Sequence, residues 1–188
     1  MQSMNQTAGT GMASRQRGTS MLEVLVTILI LAIGMLGLAA LQGQAHTSEL
    51  ESYQRGQALV LLQDISSRME GNINNAASYV TGALGTGATD ASDCTSLGTR
   101  AATDLCEWSK ALKGSSETKS GAKQGAMIDG RGCVQTTGVA DTYLISVVWQ
   151  GLNATATPAT TCGQNSYDSE TTRRAVTTLI RIPNLSGS

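Results

Sequence analysis

The 188-residue sequence predicts an α+β fold. One long N-terminal α-helix, half membrane-spanning and half docked, lies on a small antiparallel β-sheet whose loops are pinned by disulfides. Three observations carry this prediction. Val24 to Leu41 is an 18-residue run without a charge. Apolar residues then recur at helical spacing as far as Met69. The last third of the chain alternates with the period of two that marks strands. The expected organisation is a leader over residues 1–18, a transmembrane or assembly half-helix over 19–43, and a head domain over 44–188.

The leader carries Arg15 and Arg17 and ends at Gly18. The apolar run that follows has Thr27 as its only polar side chain. At about 1.5 Å per residue it covers about 27 Å, close to the thickness of a hydrocarbon core. The arginines are expected to stay cytoplasmic, which sends the C-terminal part across the membrane into an oxidising compartment. A simple secreted domain is the alternative, because Ala39-Ala40-Leu41-Gln42 has the small residues of a signal cleavage site.

Glu23 is an acid at the mouth of this apolar run, where charge is costly. One reading is a capping box, with Ser20 as N-cap and Glu23 three residues on. The other starts from cleavage after Gly18, which would leave Thr19 with a free, charged amine. Glu23 then becomes a counter-charge for the amine of a neighbouring subunit. Pairing would favour side-by-side helices in one register, since each charge alone is expensive in lipid.

Beyond Leu41, Ala58, Leu62, Ile65 and Met69 form an apolar stripe, with Arg55, Asp64, Arg68 and Glu70 expected elsewhere on the surface. The helix is predicted from about Ser20 to Glu70, about 75 Å long. Gly71-Asn72 is its stop signal, and Asn74 to Val80 has the character of a further turn or two. Gly34, Gly37 and Gly43 weaken it locally, either for close packing in lipid or for bending during assembly.

Residues 81–93 are read as a loop from their Gly, Ala, Thr and Ser content. Ala101 to Leu112 reads as a short helix with Leu105, Trp108 and Leu112 on one face and Trp108 as a core anchor. Residues 113–126, with Lys113, Lys119 and Lys123, are read as a solvated loop. Strands are predicted over Gly132–Thr137, Tyr143–Gln150 and Val176–Ile182, the first two joined as a hairpin by Gly138 to Asp141. Tyr143, Ile145, Val147 and Trp149 would face one way and Leu144, Ser146, Val148 and Gln150 the other, and laying the sheet on the long helix would bury one of these faces and expose the other.

Cys94, Cys106, Cys133 and Cys162 are expected to form structural disulfides in an exported domain. Three connectivities exist; the local pairs Cys94–Cys106 and Cys133–Cys162 are preferred. Each bridge would contribute roughly 3–4 kcal/mol through unfolded-state entropy. No C-x-x-C pair occurs and the single histidine, His46, lies far upstream, so no metal site is expected. Aromatic residues are only 3% with no Phe, so the core beyond the helix must be modest. The formal charge is −1, and loss of the leader's two arginines takes it to −3, so nucleic acid is not an expected partner.

Gly18, Thr19, Glu23 and the run Leu22-Glu-Val-Leu-Val-Thr-Ile-Leu-Ile-Leu-Ala-Ile-Gly34 resemble a type IV prepilin signal. The resemblance implies cleavage after Gly18 by prepilin peptidase and N-methylation of Thr19, where the family most often has Phe. It also implies a type IV pilin-like fold. Asp104, Leu105, Trp108 and Leu112, then Gly132-Cys133-Val134 and the Tyr143-x-Ile145-x-Val147-x-Trp149 strand, are similar to PilV-type minor pilins. Lys113 and Gly114 stand where that family usually has a Leu-Pro pair after the tryptophan helix.

No nucleophile–base set and no phosphate loop is visible, so neither enzyme activity nor a cofactor is expected. The resemblance implies a minor pilin, a structural subunit that takes part in starting or assembling the type IV pilus. It would be a single-pass inner-membrane protein with its C-terminal domain in the periplasm, and also part of the pilus, the organelle of twitching motility. The implied partners are other minor pilins, the major pilin, the inner-membrane assembly platform and prepilin peptidase. The alternatives are a minor pseudopilin of a type II secretion system, a pilus-borne adhesin or DNA-binding module, and a simple membrane-anchored or secreted periplasmic domain.

Overall fold

A computed structural model describes residues 20–115, 118–119, 122–123 and 127–183, with side chains for all of these except 118–119 and 122–123. Residues 1–44 and 45–188 form two compact units.

Helix α1 spans Met21–Glu70. It runs unbroken through Gly34, Gly37 and Gly43. Every residue from Ser20 to Leu50 is exposed, and the helix is long and apolar enough to cross a membrane. From Gln54 onward the pattern changes. Gln54, Ala58, Leu62, Ile65 and Met69 are buried, one per turn or nearly so, because only one side of this stretch meets the core. Gly71 ends the helix with its N–H on Ser67 O, and a 3₁₀ helix over Ile73–Tyr79 follows.

The head holds a four-stranded antiparallel sheet in the order β1-β4-β5-β6, formed by β1 Thr81–Gly85, β4 Arg131–Thr136, β5 Thr142–Gln150 and β6 Arg173–Arg181. A separate two-stranded ribbon pairs β2 Thr118–Lys119 with β3 Ala122–Lys123. Helix α2, Arg100–Leu112, opens on Thr99, whose hydroxyl caps Ala102 N–H at 3.2 Å. It closes on Gly114 at φ 74°, a left-handed conformation that suits glycine.

The buried stripe of α1 shares one core with Tyr143, Ile145, Val147, Trp149 and Val176 of the sheet and with Trp108 and Leu112 of α2. Trp108 is fully buried and its Nε1–H donates to Leu61 O of α1 at 2.9 Å, so it joins both helices to the sheet. Gly132 is the floor beneath it. A Cβ there would lie 2.2 Å from the indole ring, so no other residue fits without moving the tryptophan.

Four expectations are corrected. Residues 81–85 form an edge strand rather than a loop, paired with β4 through a register irregularity between Thr81 and Leu84. Backbone pairing overrides the weak strand propensity of Thr-Gly-Ala-Leu-Gly there. Residues 118–119 and 122–123 likewise form a ribbon inside a predicted loop. The outer face of β5 is not solvent-facing, because Ser146 and Val148 are fully buried. Cys162, on the 151–172 connection, bonds to Cys133 and folds that connection over them. Lastly, Arg68 is not a free surface charge; it is half-buried at the centre of a polar cluster.

Candidate functional site: the helix terminus and the surfaces of the head

The N-terminal end of α1 is built around Ser20 and Glu23. Ser20 Oγ accepts the N–H of Glu23 at 3.3 Å, and Ser20 O accepts the N–H groups of Glu23 and Val24 at 2.9 and 3.3 Å. Ser20 therefore caps the helix, as the spacing predicts. The Glu23 side chain is exposed, and among the described residues no group hydrogen-bonds to or pairs with its carboxylate. The cap uses the backbone of Glu23 and leaves its acid available. Gly18 and Thr19, the expected processing and methylation positions, lie outside the described residues.

Cys94 is bonded to Cys106 and Cys133 to Cys162, the two local pairings. The first ties the loop before α2 to the helix, and the second ties the 151–172 connection to β4. No free cysteine occurs. His46 is mostly exposed and lies 3.8 Å from Glu49 on the next helical turn. Among the described residues no cluster of three or more His, Cys, Asp or Glu side chains is arranged to hold a metal.

Charged groups in the head hold elements together. Arg68 bonds Asp64 on its own helix and both Asp104 and Glu107 on α2, at 3.0, 3.0 and 2.6 Å. Burial opposes its charge, yet the bonds to Glu107 and Asp64 outweigh that and raise its pKa above the ordinary arginine value. Tyr79 donates to Asp104, and its pKa is raised by burial first and by the Asp104 contact next. This cluster joins α1, the 3₁₀ helix and α2. Sequence reasoning missed it because Arg68 and Asp104 are 36 residues apart.

Further ion pairs serve the loops. Lys113 is not solvated: its Nζ reaches Asp90 and Ala88 O at 2.7 and 2.6 Å, which anchors the loop after β1. Lys119 and Lys123 have no described side chains. Arg173 is buried at 1% exposure, donates to the carbonyls of Pro158, Thr160 and Cys162, and pairs with Glu170. Its guanidinium thus takes the place of strand pairing for the long connection. At the edge of the head, Glu51 Oε1 accepts from the N–H groups of Leu152 and Asn153 beside a cleft of about 370 Å³ that includes Arg55 and Trp149. The buried Trp149 Nε1–H at this cleft has no hydrogen-bond partner among the described residues.

Residues 13–39 match the family model of the prokaryotic N-terminal methylation motif. The matched segment holds the Gly18–Thr19 junction, Glu23 and most of the apolar run. Together with a long helix packed on a disulfide-pinned antiparallel sheet, it supports a type IV pilin-like protein with a prepilin-type signal. The motif points to a structural, membrane-anchored and pilus-associated subunit rather than an enzyme. No curated protein and no solved structure matches the chain.

Proposed function

We propose that this protein is a minor pilin, a non-enzymatic subunit that takes part in initiating and assembling a type IV pilus. The observation that carries the reading is the methylation motif over residues 13–39 with an available carboxylate, Glu23, at the mouth of an uncharged helix. Prepilin peptidase cuts between Gly18 and Thr19 and removes residues 1–18. The new Thr19 amine is then N-methylated. Residues 19–43 store the subunit in the inner membrane, and the head, residues 44–188, lies in the periplasm until assembly carries it into the pilus.

The mechanism is a charge pairing between subunits. Glu23 and a neighbour's terminal amine are each costly in lipid, and together they neutralise one another and fix the register of adjacent helices. Uniform apolarity around the helix suits a bundle in which every face meets lipid or another helix. The partners on this reading are other minor pilins, the major pilin and the assembly platform of the inner membrane. A minor pseudopilin of a type II secretion system shares the same motif. Deletion of the chain distinguishes the two: loss of twitching supports the pilus, and loss of enzyme secretion supports the secretion system.

Mass spectrometry of the N-terminal peptide from native membranes tests the processing. A chain that starts at Thr19 is expected; one that starts near Gln42, or keeps its leader, overturns the assembly mechanism. Glu23→Val is expected to insert and be cleaved normally but to assemble poorly. Wild-type piliation in that variant would sink the counter-charge.

A further inference from the structure

Trp149 stands one residue before the end of β5 and is 3% exposed. Its indole nitrogen can donate a hydrogen bond but not accept one. Among the described residues nothing accepts from it. A buried donor without a partner is costly, and a bound acceptor would remove that cost.

Trp149 lines a cleft of about 370 Å³ together with Glu51, Ser52 and Arg55 of α1 and Arg174 and Ala175 of β6. On a helix Glu51 would ordinarily pair with Arg55, four residues on. Here its Oε1 instead accepts from the N–H groups of Leu152 and Asn153 at 3.1 and 3.2 Å and lies 3.4 Å from Arg174 Nη2. Arg174 is fixed in turn by Thr155 Oγ1 and by the carbonyls of Asn153 and Thr171. Arg55 is left exposed, and neither it nor Ser52 has a hydrogen-bond or ion-pair partner among the described residues.

The lining therefore carries one excess positive charge, with two guanidinium groups against one carboxylate. Arg55, Ser52 and Trp149 all bring donors that nothing yet meets. Trp149 and Ala175 supply the apolar part of the wall. The volume is that of a small-ligand site.

We infer that this cleft is a carboxylate-binding site. It takes a single carboxylate on a small apolar body, carried by a free organic acid or by the end of another chain. Arg55 grips both oxygens with its forked N–H groups, Ser52 donates to one, and Trp149 Nε1–H donates to the other. Nε1 is covered in the free chain, so this last bond needs the wall to shift; Ser52 and Arg55 are the exposed, unpartnered side chains that can move. A phosphate dianion fits less well, because its second charge would face Glu51 with no cation left to balance it. The site lies wholly within the unit formed by residues 45–188. It depends on neither leader cleavage nor the Glu23 pairing and goes beyond the function proposed above.

The test uses the full chain in detergent micelles with benzoate as the probe. The chain has two tryptophans and so gives two indole N–H signals in a proton–nitrogen correlation spectrum. Trp108 already donates to Leu61 O and serves as the internal reference. Millimolar benzoate is expected to move the Trp149 signal downfield and saturably, and to leave Trp108 in place. Arg55→Gln changes only an exposed residue and is expected to weaken binding about tenfold or more. Trp149→Phe keeps a ring without the N–H and is expected to weaken binding in calorimetry, with the Trp108 signal reporting that the fold is kept. Acetyl-Ala-Ala-Phe separates the two sources. Binding tighter than that of benzoate, and lost when its terminal carboxylate is amidated, supports a chain end; weaker binding supports a free acid. The inference is overturned if millimolar benzoate leaves Trp149 unmoved, or if benzamide or inorganic phosphate moves it as far. It is equally overturned if the Arg55→Gln chain binds benzoate as tightly as the parent.

Discussion

The two halves of α1 have the same backbone geometry and opposite surroundings. From Met21 to Gln44 every residue is exposed, with Leu36 at 71% and Ile30 at 62%. From Ala45 to Glu70 five residues are buried, spaced three or four apart. The first half is apolar all round, so its stable setting is one in which no direction is water. The second half has one apolar stripe and therefore needs one core. Helix propensity does not separate them; periodicity does. A single helix thus serves two solvents, and each half fails for a different reason.

That contrast gives the order of expected effects. Trp108→Ala, which empties the joint between α1, α2 and the sheet, is expected to cost about 3–5 kcal/mol of head stability. Thermal unfolding followed by near-UV circular dichroism would measure it, and membrane insertion should be unchanged. Replacing both Cys133 and Cys162 with serine is expected to cost roughly 3.5 kcal/mol on the chain-entropy view of its loop. Limited proteolysis should then cut first within residues 151–172. Ile30→Arg is expected to raise the cost of insertion by about 2.5–3.5 kcal/mol while the melting of the head stays as it was. An insertion assay beside the same unfolding curve checks both halves at once. A drop in head stability in that variant would end the separation argued here.

The smallest effect depends on pH. The carboxyl of Glu170 is held below the usual carboxylate range, first by the Asn165 N–H at 2.7 Å and then by Arg173. A depressed folded value means that its contribution is present above its ordinary titration range and is lost as pH falls through the lower folded value. Head stability is therefore expected to decline on acidification below about pH 4.5, and Glu170→Gln is expected to flatten that part of the curve. Melting temperatures between about pH 6 and pH 3 would register it.

Much of this was legible in the chain because it depends on near neighbours. The run from Val24 to Leu41, the stripe from Ala58 to Met69, the alternation from Tyr143 to Trp149 and the stop at Gly71 are local patterns, and local geometry turns each into an element. The Ser20 cap was legible for the same reason. β1 was not, since Thr81–Gly85 becomes a strand only because β4 supplies its hydrogen bonds. Nor was the reason for Gly132, which lies in its distance from a tryptophan 24 positions earlier in the chain.

The sequence by itself determined the long helix, its division into a uniformly apolar half and a striped half, the carboxylate at its mouth and the methylation motif around them. These are set by composition and spacing within a few turns. Only the tertiary structure decided that Arg68 is a joint rather than a surface charge, and that the outer face of β5 is roofed by the Cys162 connection. Each of these depends on which distant segment arrives at a given side chain. Burial and hydrogen-bond satisfaction are properties of the assembled fold, and no local pattern encodes them.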